Sequence, residues 1–268
     1  MKALRVSGES KVDLSRWDAD DTSALPGLSK DSCGPRLDAV RQELRELQGV
    51  LMAERKHKVL IVLQAMDAGG KDGTVRNAFF GLNPHGLCVA AFKAPTPVEL
   101  DHDFLWRVHQ RAPGRGEMAI FNRSHYEDIV AVRVKRLAPK EVWERRYEHV
   151  INFEKLLYDE GTLILKFFLH IDQAEQKKRL EGRLKDPTKL WKIDPHDLRD
   201  RQRWGEFSRA YEEVLQRTST GFAPWFIIPA NKKWFRNLVV ATIVRDGLAE
   251  LKMEFPALHP ELAGVNSV

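Results

Sequence analysis

One run of the chain, from Val59 to Arg76, is the strongest candidate for a functional motif and reads V-L-I-V-L-Q-A-M-D-A-G-G-K-D-G-T-V-R. A continuous apolar stretch, typical of a buried parallel strand, is followed at once by glycines and a lysine. Glycines let backbone N–H groups approach an anion, and a helix beginning near Asp72 would add its positive end. The run is close to the template G-x-x-x-x-G-K-[ST], so it predicts a phosphate-binding loop.

The run departs from that template at two positions. Ala65 replaces the first glycine, and Asp72 replaces the Ser or Thr whose hydroxyl usually ligates Mg²⁺. We therefore expect the metal to be held by carboxylates, with Asp67 inside the loop as the first candidate. The alternative is an ordinary corner between a strand and a helix, whose glycines serve only the tight turn.

A second group of polar residues follows a predicted strand at 117–121 and reads Phe121-Asn122-Arg123-Ser124-His125-Tyr126-Glu127-Asp128. Open α/β sheets place ligand-binding groups beyond the carboxyl ends of their strands. Arg123 could bind phosphate oxygens through two N–H groups, and Asp128 could share a Mg²⁺ ion with Asp67. The alternative is a helix cap at Asn122 or Ser124 followed by a solvated acidic pair.

A basic segment from Lys177 to Lys192 carries seven basic residues and two acidic ones. A predicted helix at 175–185 is broken at Asp186-Pro187 and followed by another predicted helix at 195–217. Two helices joined by a basic bend are typical of a lid that closes over an anionic substrate and excludes water. A solvated charged face is the alternative. Lys232 and Lys233 would open the last helix beside the same edge of the sheet.

Composition limits the classes of protein that fit. The chain has 268 residues, of which 43% are hydrophobic, so it can form one domain with a sizeable core. Its net charge of +5 favours a polyanionic partner. No membrane span or secretory signal is visible, which predicts a cytoplasmic protein. The two cysteines and the histidines match no disulfide framework or zinc site, and no nucleophile motif of a hydrolase occurs.

Hydrophobic periodicity predicts alternating strands and helices, and hence an α/β fold with a mainly parallel five-stranded sheet between helices. An N-terminal arm, residues 1–34, would lie over the body and be fixed by Trp17. Predicted strands span 59–63, 87–92, 117–121, 163–171 and 224–228. Predicted helices span 36–57, 72–82, 98–111, 139–159, 175–185 and 195–217, with a last helix starting near Pro229 and a loose tail at 256–268.

Taken together, these motifs resemble the type 2 polyphosphate kinases over nearly the whole chain. The matching stretches are S-R-W-D-A-D-D-T in the arm, D-A-G-G-K-D-G-T in the loop, N-R-S-H-Y-E-D after the third strand, D-P…W-K in the lid, and A-P-W with N-K-K-W near the end. The Phe-Asn-Arg-Ser form with a following Glu-Asp is similar to the class that phosphorylates both AMP and ADP. Many members have Phe-Asp-Arg-Ser instead, so Asn122 is a departure that shifts metal binding to Asp128.

This resemblance implies a three-layer P-loop kinase-like core similar to thymidylate kinase, a helical lid at about 172–200, and a single domain over residues 1–268. It also implies Mg²⁺, with Mn²⁺ as an alternative, and assembly into dimers or tetramers. The implied activity is phosphoryl transfer between inorganic polyphosphate and AMP or ADP, which forms ADP and ATP. The alternatives are an ATP-dependent nucleoside or nucleotide kinase and, less favoured, a nucleic-acid-binding protein, which would need aromatic residues among its basic ones.

The site residues expected on this interpretation fall into three groups. The catalytic residues are Asp67, Lys71, Arg123 and Asp128, of which Asp67 and Asp128 bind the metal. The residues expected to bind phosphate or nucleotide are Ala68, Gly69, Gly70, Asp72, Gly73, Thr74, Asn122 and Glu127. The residues expected to guide the polyphosphate chain are Arg107, Arg111, Arg179, Arg183, Lys192 and Lys232.

Overall fold

Five strands form one parallel sheet in the spatial order β2-β3-β1-β4-β5, with β1 at its centre. The structure is a computed structural model and describes residues 1–7, 11–258 and 261. The strands are β1 (Lys58–Gln64), β2 (Leu87–Ala91), β3 (Met118–Asn122), β4 (Thr162–His170) and β5 (Trp225–Pro229). Each lies within one residue of its predicted bounds, so the predicted sheet is confirmed.

Helices separate the strands in the described part of the chain. They are α1 (Lys30–Glu54), α2 (Lys71–Ala78), α3 (Pro97–Leu100), α4 (Trp106–His109), α5 (Glu127–Lys135), α6 (Lys140–Asp159), α7 (Gln173–Leu184), α8 (Pro195–Gln202), α9 (Trp204–Thr218) and α10 (Lys233–Glu250). None of these described helices is long and apolar enough to cross a membrane.

Both faces of the sheet are buried because successive side chains of a strand point to opposite sides. In β1, Ile61 and Leu63 enter one apolar core, whereas Leu60 and Val62 enter the other. Helices α1, α2 and α10 cover the first face, and α5, α6 and α9 cover the second. This is the predicted arrangement of three layers, with helices on both sides of a parallel sheet.

The N-terminal arm packs along the sheet. Leu4, Val6 and Leu14 are buried, and the Val6 N–H donates to the Trp225 carbonyl at 2.8 Å. The Trp17 carbonyl accepts a hydrogen bond from His170 Nε2 at 2.9 Å. The arm is shorter than predicted, because Ser29 caps α1 in a reciprocal capping box with Ser32 and the helix begins at Lys30.

The predicted helix at 98–111 is wrong. The chain forms two single turns there, α3 and α4, and Leu100 on the supposed apolar stripe is 67% exposed. Thr96 caps the first turn, and Asp103 accepts the Leu105 N–H at 2.9 Å, so side chains that bond to nearby backbone interrupt a continuous helix.

Other differences are smaller. The second helix ends at Ala78, the predicted helix at 195–217 divides at Arg203 into α8 and α9, and α5 was not predicted. Of the predicted tail, residues 259, 260 and 262–268 lie outside the described residues.

A fully buried ion pair ties the core to the segment after β3. Lys166 Nζ lies 2.6 Å from Glu154 Oε2 and also donates to the Tyr126 hydroxyl and the Thr218 carbonyl. Glu154 Oε1 accepts from Tyr126 at 2.7 Å. Burial favours the neutral acid, but the Lys166 ammonium and His125 outweigh burial and hold the pKa of Glu154 below its usual range. The pair therefore fixes Tyr126 beneath the polar residues that flank it.

Replacing the buried lysine should destabilise the protein strongly. In Lys166→Met the Glu154 carboxylate would stay buried without its cation, and we expect the free energy of unfolding to fall by about 3–5 kcal/mol. Lys155→Met is a matched control, because Lys155 pairs with Asp159 on the surface and should cost less than about 1 kcal/mol. The measurement is urea unfolding followed by circular dichroism. Equal unfolding midpoints for the two variants would contradict this account.

Candidate active site

The two polar segments lie side by side because β1 and β3 are neighbouring parallel strands with Leu63 opposite Asn122. Arg123 Nη2 donates to Asp67 Oδ1 at 3.1 Å, and the two groups form an ion pair. Next to it, Asn122 Nδ2 donates to Asp72 Oδ1 at 2.6 Å. The loop after β1 and the segment after β3 thus build one site at the carboxyl edge of the sheet.

The loop backbone is arranged to receive an anion. A Cβ atom at Gly69 would lie 2.4 Å from the Ala65 Cβ and 2.8 Å from the Met66 carbonyl oxygen, so no side chain fits there. Gly70 begins α2 with φ of +101°, in the region that favours glycine. Backbone N–H groups at a helix start, free of side chains, form a phosphate-binding surface.

Two residues with side chains adopt left-handed backbone conformations at this edge. Ala68 has φ of +60° and Arg123 has φ of +62°. Such conformations are uncommon outside glycine and occur preferentially at functional sites, where the surrounding structure imposes them. At position 123 this backbone conformation accompanies a guanidinium group directed at the loop.

Lys71 lies among charges of both signs. Its Nζ donates to the Ala65 carbonyl at 3.1 Å, so the side chain folds back along the loop. Burial, and next the Arg123 guanidinium, lower the pKa of Lys71, while the carboxylates of Asp67, Glu127 and Asp72 act in the opposite direction. An anion bound here would favour the charged ammonium, because it adds negative charge beside two cations.

Glu127 belongs to the same group of charges. With its amide oriented to suit its neighbours, Gln64 donates to Glu127 Oε1 at 3.0 Å and accepts from the Ser124 N–H. Burial raises the pKa of Glu127, and Arg123 and Lys71 act against that rise. The alternative of a solvated acidic pair does not describe this segment, since Asp128 is buried as well.

Asp128 and Arg107 were expected in separate roles, but they pair with each other. Arg107 Nη2 lies 3.1 Å from Asp128 Oδ2, and Arg146 Nη1 lies 3.7 Å from Asp128 Oδ1. Burial raises the pKa of Asp128 while Arg107 opposes the rise. Arg107 is only 7% exposed, so the structure places it in the interior and not on the wall of an open channel.

The carboxylates nearest Lys71 suit a hard divalent cation. Asp67 and Glu127 supply oxygen ligands beside the loop, and Mg²⁺ commonly binds one or two carboxylates and completes its shell with phosphates and water. In the described part of the chain, no three His, Cys, Asp or Glu side chains form a complete metal cage. The predicted pairing of Asp67 with Asp128 stays a prediction, and Asp128 would have to exchange a guanidinium contact for the ion.

Two of the residues expected to guide a polymer instead connect parts of the protein. Arg179 donates to four backbone carbonyls, those of Ala68, Gly69, Ala230 and Asn231, at 2.6–3.0 Å and also pairs with Glu175. Lys232 Nζ donates to the carbonyl of Asp20 in the N-terminal arm at 2.7 Å. All of the N–H groups of Arg179 are engaged in this structure, so Arg179 is a structural bridge between α7 and the loop, and its role in binding the polymer stays a prediction.

The three remaining residues that were expected to guide the polymer lie in different surroundings. Arg111 is exposed, Lys192 lies over the Trp191 ring at 4.9 Å, and Arg183 Nη1 donates to the Lys192 carbonyl at 3.2 Å. Arg183 and Lys192 therefore contact each other in the bend that follows α7, and their role in binding the polymer stays a prediction. In the loop itself, Thr74 is fully buried and its hydroxyl donates to the Gly70 carbonyl at 3.2 Å, so its side chain contacts the helix backbone, and its role in binding phosphate stays a prediction.

The most prominent charged residue that sequence reasoning missed is Arg236, in the first turn of α10. Its guanidinium occupies the space beside Gly70, where a Cβ atom would lie 1.9 Å from Nη1. The sequence carried one signal, namely an arginine between the apolar residues Trp234, Phe235 and Leu238 of a helix. A charged side chain within an apolar stretch is either paired or functional.

Comparison with known proteins agrees with this geometry. The chain is 52% identical over 263 residues to the AMP/ADP-polyphosphate phosphotransferase of Meiothermus ruber, which covers 98% of this chain and 97% of that protein. It is 39% identical to the ADP-polyphosphate phosphotransferase of Rhodopseudomonas palustris, with 97% and 93% covered.

The fold and the sequence model of one family agree over most of the chain. The crystal structure of polyphosphate kinase 2 from Arthrobacter aurescens TC1 superposes with a TM-score of 0.94 at 39% sequence identity, covering 98% of this chain and 94% of that one. The family model described as "Polyphosphate kinase 2 (PPK2)" matches residues 27–256. The chain therefore belongs to the polyphosphate kinase 2 family.

Proposed function

We propose that the protein is a polyphosphate-dependent nucleotide kinase that transfers a terminal phosphoryl group between inorganic polyphosphate and AMP or ADP. The observation that carries the proposal is the Asp67–Arg123 ion pair, which joins a phosphate loop to a second cationic group at one edge of the sheet. The relatives named above supply the substrates, since they are phosphotransferases of polyphosphate with AMP and ADP.

The reaction needs positioning and charge stabilisation more than proton transfer. In the forward direction the bond between the terminal phosphorus and its bridging oxygen breaks, and the shortened chain keeps that electron pair on oxygen. A phosphate oxygen of AMP or ADP forms the new bond, and it is already largely deprotonated because a second phosphate pKa is about 6. The loose transition state spreads charge over the equatorial oxygens, so no strong general base is required.

Lys71 and Arg123 are the groups that would neutralise this charge. Both lie beside the loop, and both are held in place in the described structure, Lys71 by the Ala65 carbonyl and Arg123 by Asp67. The N–H groups at the start of α2 would bind oxygens of the phosphate chain. The hydrogen bond from Asn122 to Asp72 holds the start of α2 beside the end of β3.

Mg²⁺ would bind at Asp67, with Glu127 or the originally expected Asp128 as a further ligand, and Mn²⁺ could take its place. When bound, the metal offsets negative charge on the phosphate oxygens. Assembly into dimers or tetramers and a cytoplasmic location complete the proposal, and light scattering of the purified protein tests the assembly.

The substrate proposal is tested by supplying polyphosphate and Mg²⁺ with ADP alone or AMP alone and resolving the products by chromatography. We expect ATP from ADP, and ADP followed by ATP from AMP, without added ATP. A strict requirement for ATP as donor would identify an ATP-dependent nucleotide kinase instead. Salt-dependent retention of DNA without any phosphoryl transfer would indicate a nucleic-acid-binding protein.

The role of Asp67 is tested with Asp67→Asn. The amide keeps the shape of the side chain but removes the charge that would bind the metal and orient Arg123, so we expect the rate to fall by at least about 100-fold. The melting temperature should change little, because the pair is partly solvated. Asp159→Asn, at an exposed carboxylate paired with Lys155, is the control and should keep full activity. A normal rate in Asp67→Asn would refute the assignment.

The lid is tested with Arg183→Ala. If this guanidinium binds the polymer, the KM for polyphosphate should rise by about tenfold, the loss of roughly one charged hydrogen bond, while the KM for ADP stays the same. Lys178→Ala on the same helix is the control, because its side chain is 82% exposed. KM values for polyphosphate that equal the wild-type value in both variants would show that these charges do not bind the polymer.

A further inference from the structure

Arg236 lies directly beneath the phosphate loop. It is 2% exposed, and Cβ atoms built at Gly70 and Gly73 would lie 1.9 Å and 3.2 Å from its Nη1 and Nη2. Glycine at both positions therefore leaves the guanidinium in contact with the loop backbone. The cation therefore lies against the glycines at the start of α2.

The guanidinium has little to balance its charge. Its Nε and Nη2 donate to the Asn237 side-chain oxygen at 3.2 and 2.8 Å, and its Nη1 lies 3.5 Å from the Gly69 carbonyl. Among the described residues no carboxylate lies within ion-pair distance of Arg236, in contrast to Arg179, which pairs with Glu175. A buried cation without an anion costs stability unless a ligand supplies the missing charge.

The neighbouring charge makes this cost larger. Burial, and next the positive charge of Arg179, lower the pKa of Arg236 to about 9. The group still carries its charge at neutral pH, where guanidinium groups stay protonated. Two cations are therefore held together under one loop, although like charges repel each other more strongly in a poorly solvated site.

We propose that Arg236 is a positioning residue for the phosphate chain, a buried cation whose counter-ion is the anion held on the N–H groups of residues 70–73. It does not touch the ligand but raises the positive potential at the loop from below, which favours an anion of several charges. The inference rests on the proposed function and adds a residue to its binding site. The ligand class is a linear phosphate chain, from polyphosphate or from a nucleotide.

The test compares Arg236→Met with Arg245→Met in the full-length protein. Both variants replace an arginine of α10 by an uncharged side chain of similar length. Arg245 differs in having two carboxylate partners, Glu43 and Asp246, so its charge is already balanced. Binding of tripolyphosphate without nucleotide, and of ADP without polyphosphate, is measured by calorimetry and by the shift of the melting temperature.

We expect Arg236→Met to bind one of these phosphate chains about tenfold or more weakly, as expected for one charge removed from a poorly solvated site. Without ligand its melting temperature should equal or exceed that of the wild type, because an uncompensated charge is gone. Arg236→Lys should recover part of the binding, and Arg245→Met should bind as the wild type does. Weaker binding of tripolyphosphate alone would place the polymer on the loop, and weaker binding of ADP alone would place the nucleotide there.

The inference is overturned if Arg236→Met, or Arg236→Gln should the methionine variant fail to fold, binds both chains with wild-type affinity. It is also overturned if the folded variant shows only a lower kcat with unchanged KM values, which would indicate a loss of active protein. The substrate assay of the wild type is a separate measurement, so the proposed function can hold while this inference fails.

Discussion

The register between β1 and β3 determines the site. Because Leu63 lies opposite Asn122, the two strands end at the same level, and the groups beyond them meet without an intervening layer. Every contact across the edge follows from this alignment, including those of Arg123 with Asp67 and of Asn122 with Asp72. A shift of one residue would turn each side chain to the other face of the sheet. Both strands are apolar on both faces, so the register is fixed by the close packing of particular side chains in the two cores.

The charged groups at this edge of the sheet lie on two sides of the phosphate loop. Carboxylates and cations that face the open side of the loop are paired with each other, whereas the guanidinium groups of Arg179 and Arg236 lie behind the loop and bind mainly to neutral oxygens. Negative groups are thus placed where a metal could bind, and positive charge is placed where it can act on an anion through the backbone. The Glu154–Lys166 pair below the segment after β3 is balanced internally and contributes order without adding net charge.

The local features of the site could be predicted from the sequence, and the long-range pairings could not. Glycines after an apolar strand define the loop because the chemistry of that turn is local, and strand bounds follow from periodicity over a few residues. The pairing of Asp128 with Arg107 could not be predicted in this way, because the two residues are 21 positions apart. Sequence spacing alone does not distinguish a buried arginine from one on the wall of a channel. The same holds for Arg179 and Arg236, whose contacts with the loop join residues more than 100 positions apart. The incorrect helix prediction at 98–111 shows that local pattern can also mislead. There, hydrogen bonds from side chains to nearby backbone break the helix that the apolar spacing predicted.

The bridge formed by Arg179 also limits where the segment that begins with α7 could bend. Its bonds to four backbone carbonyls hold the first half of α7 to the loop and to the end of β5, so this half of the helix moves only if those bonds break. Any bending that keeps these bonds would have its hinge after residue 179. Gly182 lies three residues further on, and no atom of another residue would come within 4 Å of a Cβ atom built there. If the segment closes as a lid, the part that moves is therefore short, and its base stays fixed to the loop.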